Sequence, residues 1–271
     1  MGTVPKMKLA WLTDVHLDFV GPDEVARLGR RIAAERPAAT LLGGDISVAS
    51  RLEEHLAALA AAVPSPLYFV LGNHDFYGGG IETVRAAVAA LCRRTPRLHW
   101  LVESGVVALS DATALVGHDS WADGRLGDYA RSQVLLNDYL YIRDFVGLDR
   151  ARRLDKLNAL GDEAAAHFAR LLPQAFERCA SVVLLTHVPP FEGACWHEGR
   201  ISGPDYLPHF ACGAVGDVLV EVMRARPDRQ LTVLCGHTHG AGEARILPNL
   251  FVRTGGAEYG RPRLQEALEV D

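Results

Sequence analysis

Hydrophobic positions along the chain follow two periods. Continuous apolar runs of strand length occupy residues 8–13, 39–42, 67–71, 180–185 and 231–235, the pattern of strands covered on both faces. Amphipathic stretches follow the first three, at 22–36, 51–62 and 81–93. In the first of these Val25, Leu28 and Ile32 lie at helical spacing, with Pro22 near its start and Pro37 as a stop. Alternation of strand and helix argues for right-handed crossovers and a mainly parallel sheet. The short runs 98–101, 106–109 and 113–116, separated by turn residues at Glu103-Ser-Gly and Ser110-Asp111, predict an antiparallel meander. Region 125–172 shows no single period until Leu154, Leu157, Ala164, Phe168 and Leu171 mark the apolar stripe of a helix over 149–172. Further on, the pattern predicts a helix over 214–226 and a hairpin of 244–247 with 250–253, and the tail after Gly260 reads as a surface segment. The strands run in two halves, which a two-layer sheet sandwich with flanking helices would bring together.

Each main strand ends in polar residues. The first stops at Asp14-Val-His16, the second at Gly43-Gly-Asp45 and the third at Gly72-Asn-His-Asp75. The run 180–185 leads into Thr186-His187-Val-Pro-Pro190, and 231–235 into Gly236-His237-Thr-His239. Any one of these is ordinary turn chemistry. Recurrence at successive strand tips, where open α/β sheets hold their ligands, changes the reading. Carboxylate, amide and imidazole together suit a divalent first-row metal, and Asp14, His16, Asp45, Asn73, His74, His187, His237 and His239 are too many for one tetrahedral ion. Two ions sharing a carboxylate fit better, with Asp45 the natural bridge; two-metal hydrolases hold their ions about 3.5–4 Å apart.

Composition narrows the classes. Of 271 residues, 49% are hydrophobic, enough for a sizeable core, and a net charge of −5 removes the basic footprint expected for binding long nucleic acids. No apolar run approaches the length that spans a bilayer and no signal peptide is recognisable, so a soluble, cytoplasmic protein is expected. Five scattered cysteines without a CxxC pair read as reduced thiols. Arg150, Arg152, Arg153 and Lys156 read as a solvated helix face, and His55, His99 and His167 as structural or surface residues.

Asp14-x-His16, Gly44-Asp45, Gly72-Asn73-His74-Asp75, His187 and Gly236-His237-x-His239 stand in the order found in the calcineurin-like metallophosphoesterases, which this sequence resembles over residues 14–239. The resemblance implies an α/β (α+β) fold, a four-layer sandwich of two mixed β-sheets flanked by helices, with a binuclear metal centre. It implies that Asp14, His16 and His239 hold one metal with Asp45, and that Asp45 bridges to a second completed by Asn73, His187 and His237. His74 would contact the phosphate and protonate the leaving oxygen, and Asp75 would orient His74. Residues 1–271 would form one domain, with a variable insertion over about 117–175 and a lid loop over 191–210. The expected reaction is hydrolysis of a small phosphomonoester or phosphodiester by metal-bound hydroxide, without a covalent phospho-enzyme. Manganese, iron, zinc and magnesium all tolerate this ligand set. His118, in a polar loop, and Trp196, His197 and Arg200, in the lid loop, are the expected substrate contacts.

Rival readings separate on particular features. A nuclease or cyclic-nucleotide phosphodiesterase could use the same site; the acidic balance opposes long nucleic acids and leaves small diesters open. A non-catalytic scaffold can dispense with the acid histidine, which is present here. A single-zinc structural site fits poorly with so many oxygen and nitrogen donors and no cysteine ligands.

Overall fold

A computed structural model describes residues 6–271. Its first half runs β1 (Met7–Leu12), α1 (Pro22–Ala34), β2 (Ala39–Gly43), α2 (Leu52–Ala62), β3 (Leu67–Val70), α3 (Ile81–Arg94), β4 (Leu98–Trp100) and α4 (Leu101–Ser104). The second half runs β5 (Val107–Ala108), β6 (Thr113–His118), α5 (Asp138–Tyr141), α6 (Arg150–Arg178), β7 (Ser181–Thr186), β8 (Trp196–His197), β9 (Arg200–Ile201), α7 (Leu207–Phe210) and α8 (Gly213–Arg224). It closes with β10 (Gln230–Cys235), β11 (Gly242–Leu247), β12 (Leu250–Thr254) and β13 (Leu268–Val270).

Two mixed sheets result, ordered β13-β1-β2-β3-β4 and β11-β12-β10-β7-β6-β5. In the first, β1 to β4 are parallel and β13 is antiparallel to β1. In the second, β12, β10, β7 and β6 are parallel, with β11 and β5 antiparallel at the edges. The period of two decides which side chains meet. On β1, Leu9 and Trp11 join Val183 and Leu185 of β7 in a core between the sheets, while Ala10 and Leu12 face a second core with Leu28, Leu56 and Val88 of α1 to α3. On β7, Val182 and Leu184 turn outward against Phe168 of α6 and Leu219 of α8. The layers are therefore helix, sheet, sheet, helix. Burial of each such side chain contributes about 1.5–3 kcal/mol. A one-residue slip would exchange the two faces, so this burial also holds the register.

Four expectations change. The meander does not form: β4 pairs in parallel with β3 in the first sheet, α4 turns the chain, and only β5 and β6 pair antiparallel, in the second sheet. Leu101, which the sequence reading placed in a strand, is buried in the inter-sheet core at that crossing. The helix expected over 149–172 runs on through Pro173 to Arg178. Its apolar stripe continues with Leu171, Leu172, Ala175 and Phe176, all buried, which offsets the cost of about 3 kcal/mol for an interior proline. The tail is no mere surface segment, since β13 adds an edge strand to the first sheet. The loop over 191–210 carries structure of its own, the small β8-β9 hairpin and α7. The basic residues at the start of α6 are occupied locally: Arg150 donates to the carbonyls of Ala130 and Ser132, and Arg153 stacks over Tyr139. All five cysteines are free thiols.

Candidate metal centre

Parallel pairing brings the strand tips together. Leu12 is in register with Leu42, and Gly43 with Val70, so the segments after β1, β2 and β3 emerge side by side. Leu185 faces Leu234 in the other sheet, which sets His187 beside the loop after β10. Backbone bonds join these segments, from Asp14 N–H to Gly44 O at 3.0 Å, His16 N–H to Asp45 O at 3.0 Å and Gly236 N–H to His187 O at 2.8 Å. Other bonds cross between the sheets, among them His237 N–H donating to Asp14 Oδ1 at 2.9 Å and His187 Nδ1–H donating to Gly43 O at 2.8 Å.

This convergence costs the backbone. Asp14, His16, Asp45, His237 and His239 have φ of 51°, 40°, 50°, 68° and 59°, in the left-handed region that favours glycine. Strain of this kind gathers where a site over-determines the conformation. The glycines nearby are needed for close approach: a Cβ on Gly72 would lie 2.2 Å from Asp45 Oδ1, and one on Gly236 would lie 2.0 Å from Asp14 Oδ2.

Two donor sets share Asp45. In the first, one ligand atom each from Asp14, His16, Asp45 and His239 lie within 4.8 Å of one another. His16 Nε2 is 3.1 Å from His239 Nε2 and 3.8 Å from Asp45 Oδ2. In the second, Asp45 Oδ1 is 3.3 Å from His187 Nε2, which is 3.1 Å from Asn73 Oδ1; His237 Nδ1 is 2.9 Å from that same oxygen. Hydrogen bonding fixes which atoms face inward. Asn73 Nδ2 donates to Asp138 Oδ1 at 2.8 Å, so its amide oxygen points at the imidazoles. The Nδ1–H of His187 is committed to Gly43 O, and His237 donates Nε2–H to His209 O at 2.9 Å. Burial lowers the pKa of His187 well below the usual imidazole range and that of His237 to about 4, so each ring carries one proton, already used. An imidazole nitrogen from each ring and an amide oxygen therefore converge with no hydrogen between them. Such an arrangement is repulsive by itself and fits a cation.

Charge balance agrees. Burial pushes Asp14 up to about 7, and burial together with the carboxylates of Asp14 and Asp75 pushes Asp45 well above its ordinary value. Burial also lowers His16, and brings His239 to about 4. Buried carboxylates crowded beside neutral imidazoles are stabilised by bound positive charge.

A family model for calcineurin-like phosphoesterases matches residues 7–241. The chain belongs to the calcineurin-like phosphoesterase family. It is accordingly a metal-dependent phosphoester hydrolase, and this cluster is where its metal-ligand chemistry is concentrated. Solved structures share the fold. Phosphopantetheinyl hydrolase from Mycobacterium tuberculosis superposes with a TM-score of 0.67 at 15% identity, covering 93% of this chain and 90% of that one. A dimetal phosphatase from Danio rerio gives 0.59 at 15% identity, covering 93% and 88%. The protein TT1561 of Thermus thermophilus gives 0.55 at 13% identity, covering 93% and 90%. No curated protein sequence matches the chain. Among the described residues, no helix is long and apolar enough to cross a membrane.

A cleft of about 260 Å³ opens over the phosphoesterase cluster, lined by Asp45, Asn73, His74, His237 and His239 together with residues from four other segments. His74 sits at its wall. Its backbone N–H donates to Asp45 Oδ1 at 2.9 Å, its ring stacks on Tyr77 at 4.3 Å, and its Nε2 is 3.5 Å from the Tyr259 hydroxyl. Burial, then the imidazoles of His237 and His239, lower its pKa to about 3.

Other expected residues fall elsewhere. The Asp75 carboxylate does not reach the His74 imidazole; it accepts the backbone N–H groups of Ile46, Ser47 and Gly72 at 2.9, 2.8 and 2.8 Å. It thus ties the loop bearing Asp45 to the loop bearing Asn73. His118 is buried at the end of β6, away from the cleft, with Nε2 3.6 Å from Glu163 of α6. The Trp196 indole packs on Gly242, its backbone meets Gly240, and it is not among the residues lining the cleft. The Arg200 side chain is 80% exposed and faces Glu198 on its own hairpin. Of the four expected substrate contacts only His197 lines the cleft, with its Nδ1–H donating to Thr238 O at 3.0 Å. Sequence reasoning missed Tyr77, Asp138, Phe210 and Tyr259, all of which line it. Two carried a signal: Tyr77 stands three residues beyond His74 in the same turn, and Phe210 closes the loop expected to act as a lid.

Proposed function

We propose that the chain is a binuclear-metal phosphoesterase that hydrolyses a small phosphomonoester or phosphodiester. Asp45 would bridge, Asp14, His16 and His239 would complete one site, and Asn73, His187 and His237 the other. The observation that carries this reading is the division of Asp45, whose Oδ2 faces His16 and whose Oδ1 faces His187. The name of the dimetal phosphatase with the same fold agrees with it. Two divalent ions bound there would neutralise the phosphoryl oxygens and lower the pKa of the attacking water.

The chain's own residues do the remainder. Backbone carbonyls of Gly43 and His209 hold the His187 and His237 rings in the tautomers that present a free nitrogen inward. His74 stands beside the phosphoryl position and passes a proton to the leaving oxygen. A phosphate dianion bound alongside raises the imidazole's pKa, so that proton arrives with the substrate. Hydrophobic walls from Leu136 and Phe210 limit water around the reacting ester. The residues ahead of α6, including Asp138, shape one wall of the cleft, and His197 brings the 191–210 loop to it.

Metal analysis combined with turnover tests the reading. The parent should take up two ions per chain and cleave a chromogenic phosphoester. Asp45→Asn should retain fewer than two. His74→Ala should keep both and lose about 10²–10⁴ in kcat. Two tightly held ions in Asp45→Asn, or full turnover in His74→Ala, would remove the bridge or the acid respectively.

A further inference from the structure

Four aromatic side chains stand exposed among the described residues: Phe19, Tyr141, Tyr206 and Tyr259. They are scattered along the chain, yet all four border the same cleft. Tyr259 lines it directly. Phe19 packs on Tyr259 with ring centroids 4.8 Å apart, Tyr141 on the cleft residue Tyr77 at 5.5 Å, and Tyr206 on the cleft residue Phe210 at 5.4 Å. A patch of apolar rings collected around one opening marks a binding surface. Charge restricts what it takes. No lysine or arginine lines the cleft, and its charged side chains are Asp45 and Asp138. An anionic appendage reaching along this wall would find no cationic side chain to pair with.

We propose that the mouth of the cleft is a subsite for a flat, uncharged aromatic ring carried on the substrate's ester oxygen, with Tyr259 and Phe19 as its main platform; this rests on the phosphoesterase reading above. Tyr259 is placed for the task. Its ring lies 4.4 Å from that of His16 and 5.0 Å from that of His239, so a ring stacked on it lies beside these imidazoles. Phe19 belongs to the short turn that follows His16, which couples the platform to the metal-ligand loop.

Phosphonates separate binding from leaving-group reactivity. Competitive inhibition constants and calorimetric affinities of phenylphosphonate, methylphosphonate and 3-phosphonopropionate should be measured on metal-loaded protein. Phenylphosphonate should bind at least about tenfold more tightly than methylphosphonate, the scale of one aromatic stack, and 3-phosphonopropionate should gain nothing from its carboxylate. The phenyl-to-methyl ratio should fall toward one in Phe19→Ala, whose side chain is already exposed, and in Tyr259→Ala, and should persist in Tyr259→Phe. Equal affinities for the phenyl and methyl compounds in the parent, or a ratio unchanged in both alanine variants, would overturn the subsite while leaving the phosphoesterase reading intact. If no phosphonate binds and no phosphoester is turned over, that reading falls and the subsite with it.

Discussion

Asp75 is the residue whose replacement best separates structure from resemblance. The family pattern gives it the task of orienting His74, but its carboxylate spans three buried backbone donors. Oδ1 accepts from Ile46 and Ser47, and Oδ2 from Gly72. In Asp75→Asn, the amide oxygen can keep the first two bonds, while the amide nitrogen then opposes the Gly72 N–H, donor against donor. One buried donor left unmatched costs about 1–3 kcal/mol. For a chain of this size each kcal/mol shifts the melting temperature by about 2–4 °C, so the expected fall is roughly 2–12 °C. Because the strap joins the loops carrying Asp45 and Asn73, metal affinity should fall in step. Thermal unfolding of metal-free protein and calorimetric metal titration measure the two effects. A variant as stable and as metal-avid as the parent, with only its rate-against-pH profile displaced, would refute this assignment and restore the orienting role.

Two further outcomes follow from the site. Asp138→Ala frees the Asn73 amide and leaves Asn73 Nδ2 and the Tyr77 hydroxyl without their acceptor, which they now reach at 2.8 and 2.7 Å. Calorimetry should show affinity for the ion proposed at Asn73 falling about 10–100-fold, with Asp138→Asn largely restoring it through its amide oxygen; unchanged affinity in Asp138→Ala would dismiss the lock. The metal-free protein should lose stability as pH rises from about 7 to 8.5, because Asp45, raised well above its ordinary value, and Asp14, raised from 3.8 to about 7, hold protons in the fold that the unfolded chain has released. The buried imidazoles act with the opposite sign, and their contribution fades over about one pH unit above their unfolded value of 6.5. Metal should replace those protons and flatten the trend, so a metal-free melting temperature that climbs between about pH 7 and 8.5 would count against the account.

The proposed metal-ligand set was legible because buried polar residues at the ends of apolar strands are costly, and five such ends in one chain are hard to explain otherwise. The parts that stayed hidden are those decided by tertiary neighbours. Asp138 lies in a region without period, and nothing local announces that it meets Asn73, 65 residues away. Tyr259, just ahead of the expected surface tail, went unread, because neither its place over His16 nor the pairing of β13 with β1 has a local signature. Asp75 misled in the opposite way. The resemblance implied a partnership with His74, yet consecutive side chains seldom face one another, and its partners lie in the loop after β2 and at Gly72.

The backbone supplies the deeper reason why the proposed ligand residues could be read at all. Local preference would put glycine or asparagine at left-handed positions, and this chain has glycine to spare there, at Gly44 and Gly78 for example. At five such positions it carries aspartate or histidine instead, each strained by of order 1–3 kcal/mol. Burial then adds the penalty of packing carboxylates together, which lifts the pKa of Asp14 and Asp45. The backbone donors His237 N–H to Asp14 and His74 N–H to Asp45 recover only part of this, and the free imidazole nitrogens and the Asn73 oxygen face each other without a hydrogen between them. A fold that keeps both penalties at the same few residues must recover them from something bound. The lone pairs turned inward from both sheets say that it is positively charged.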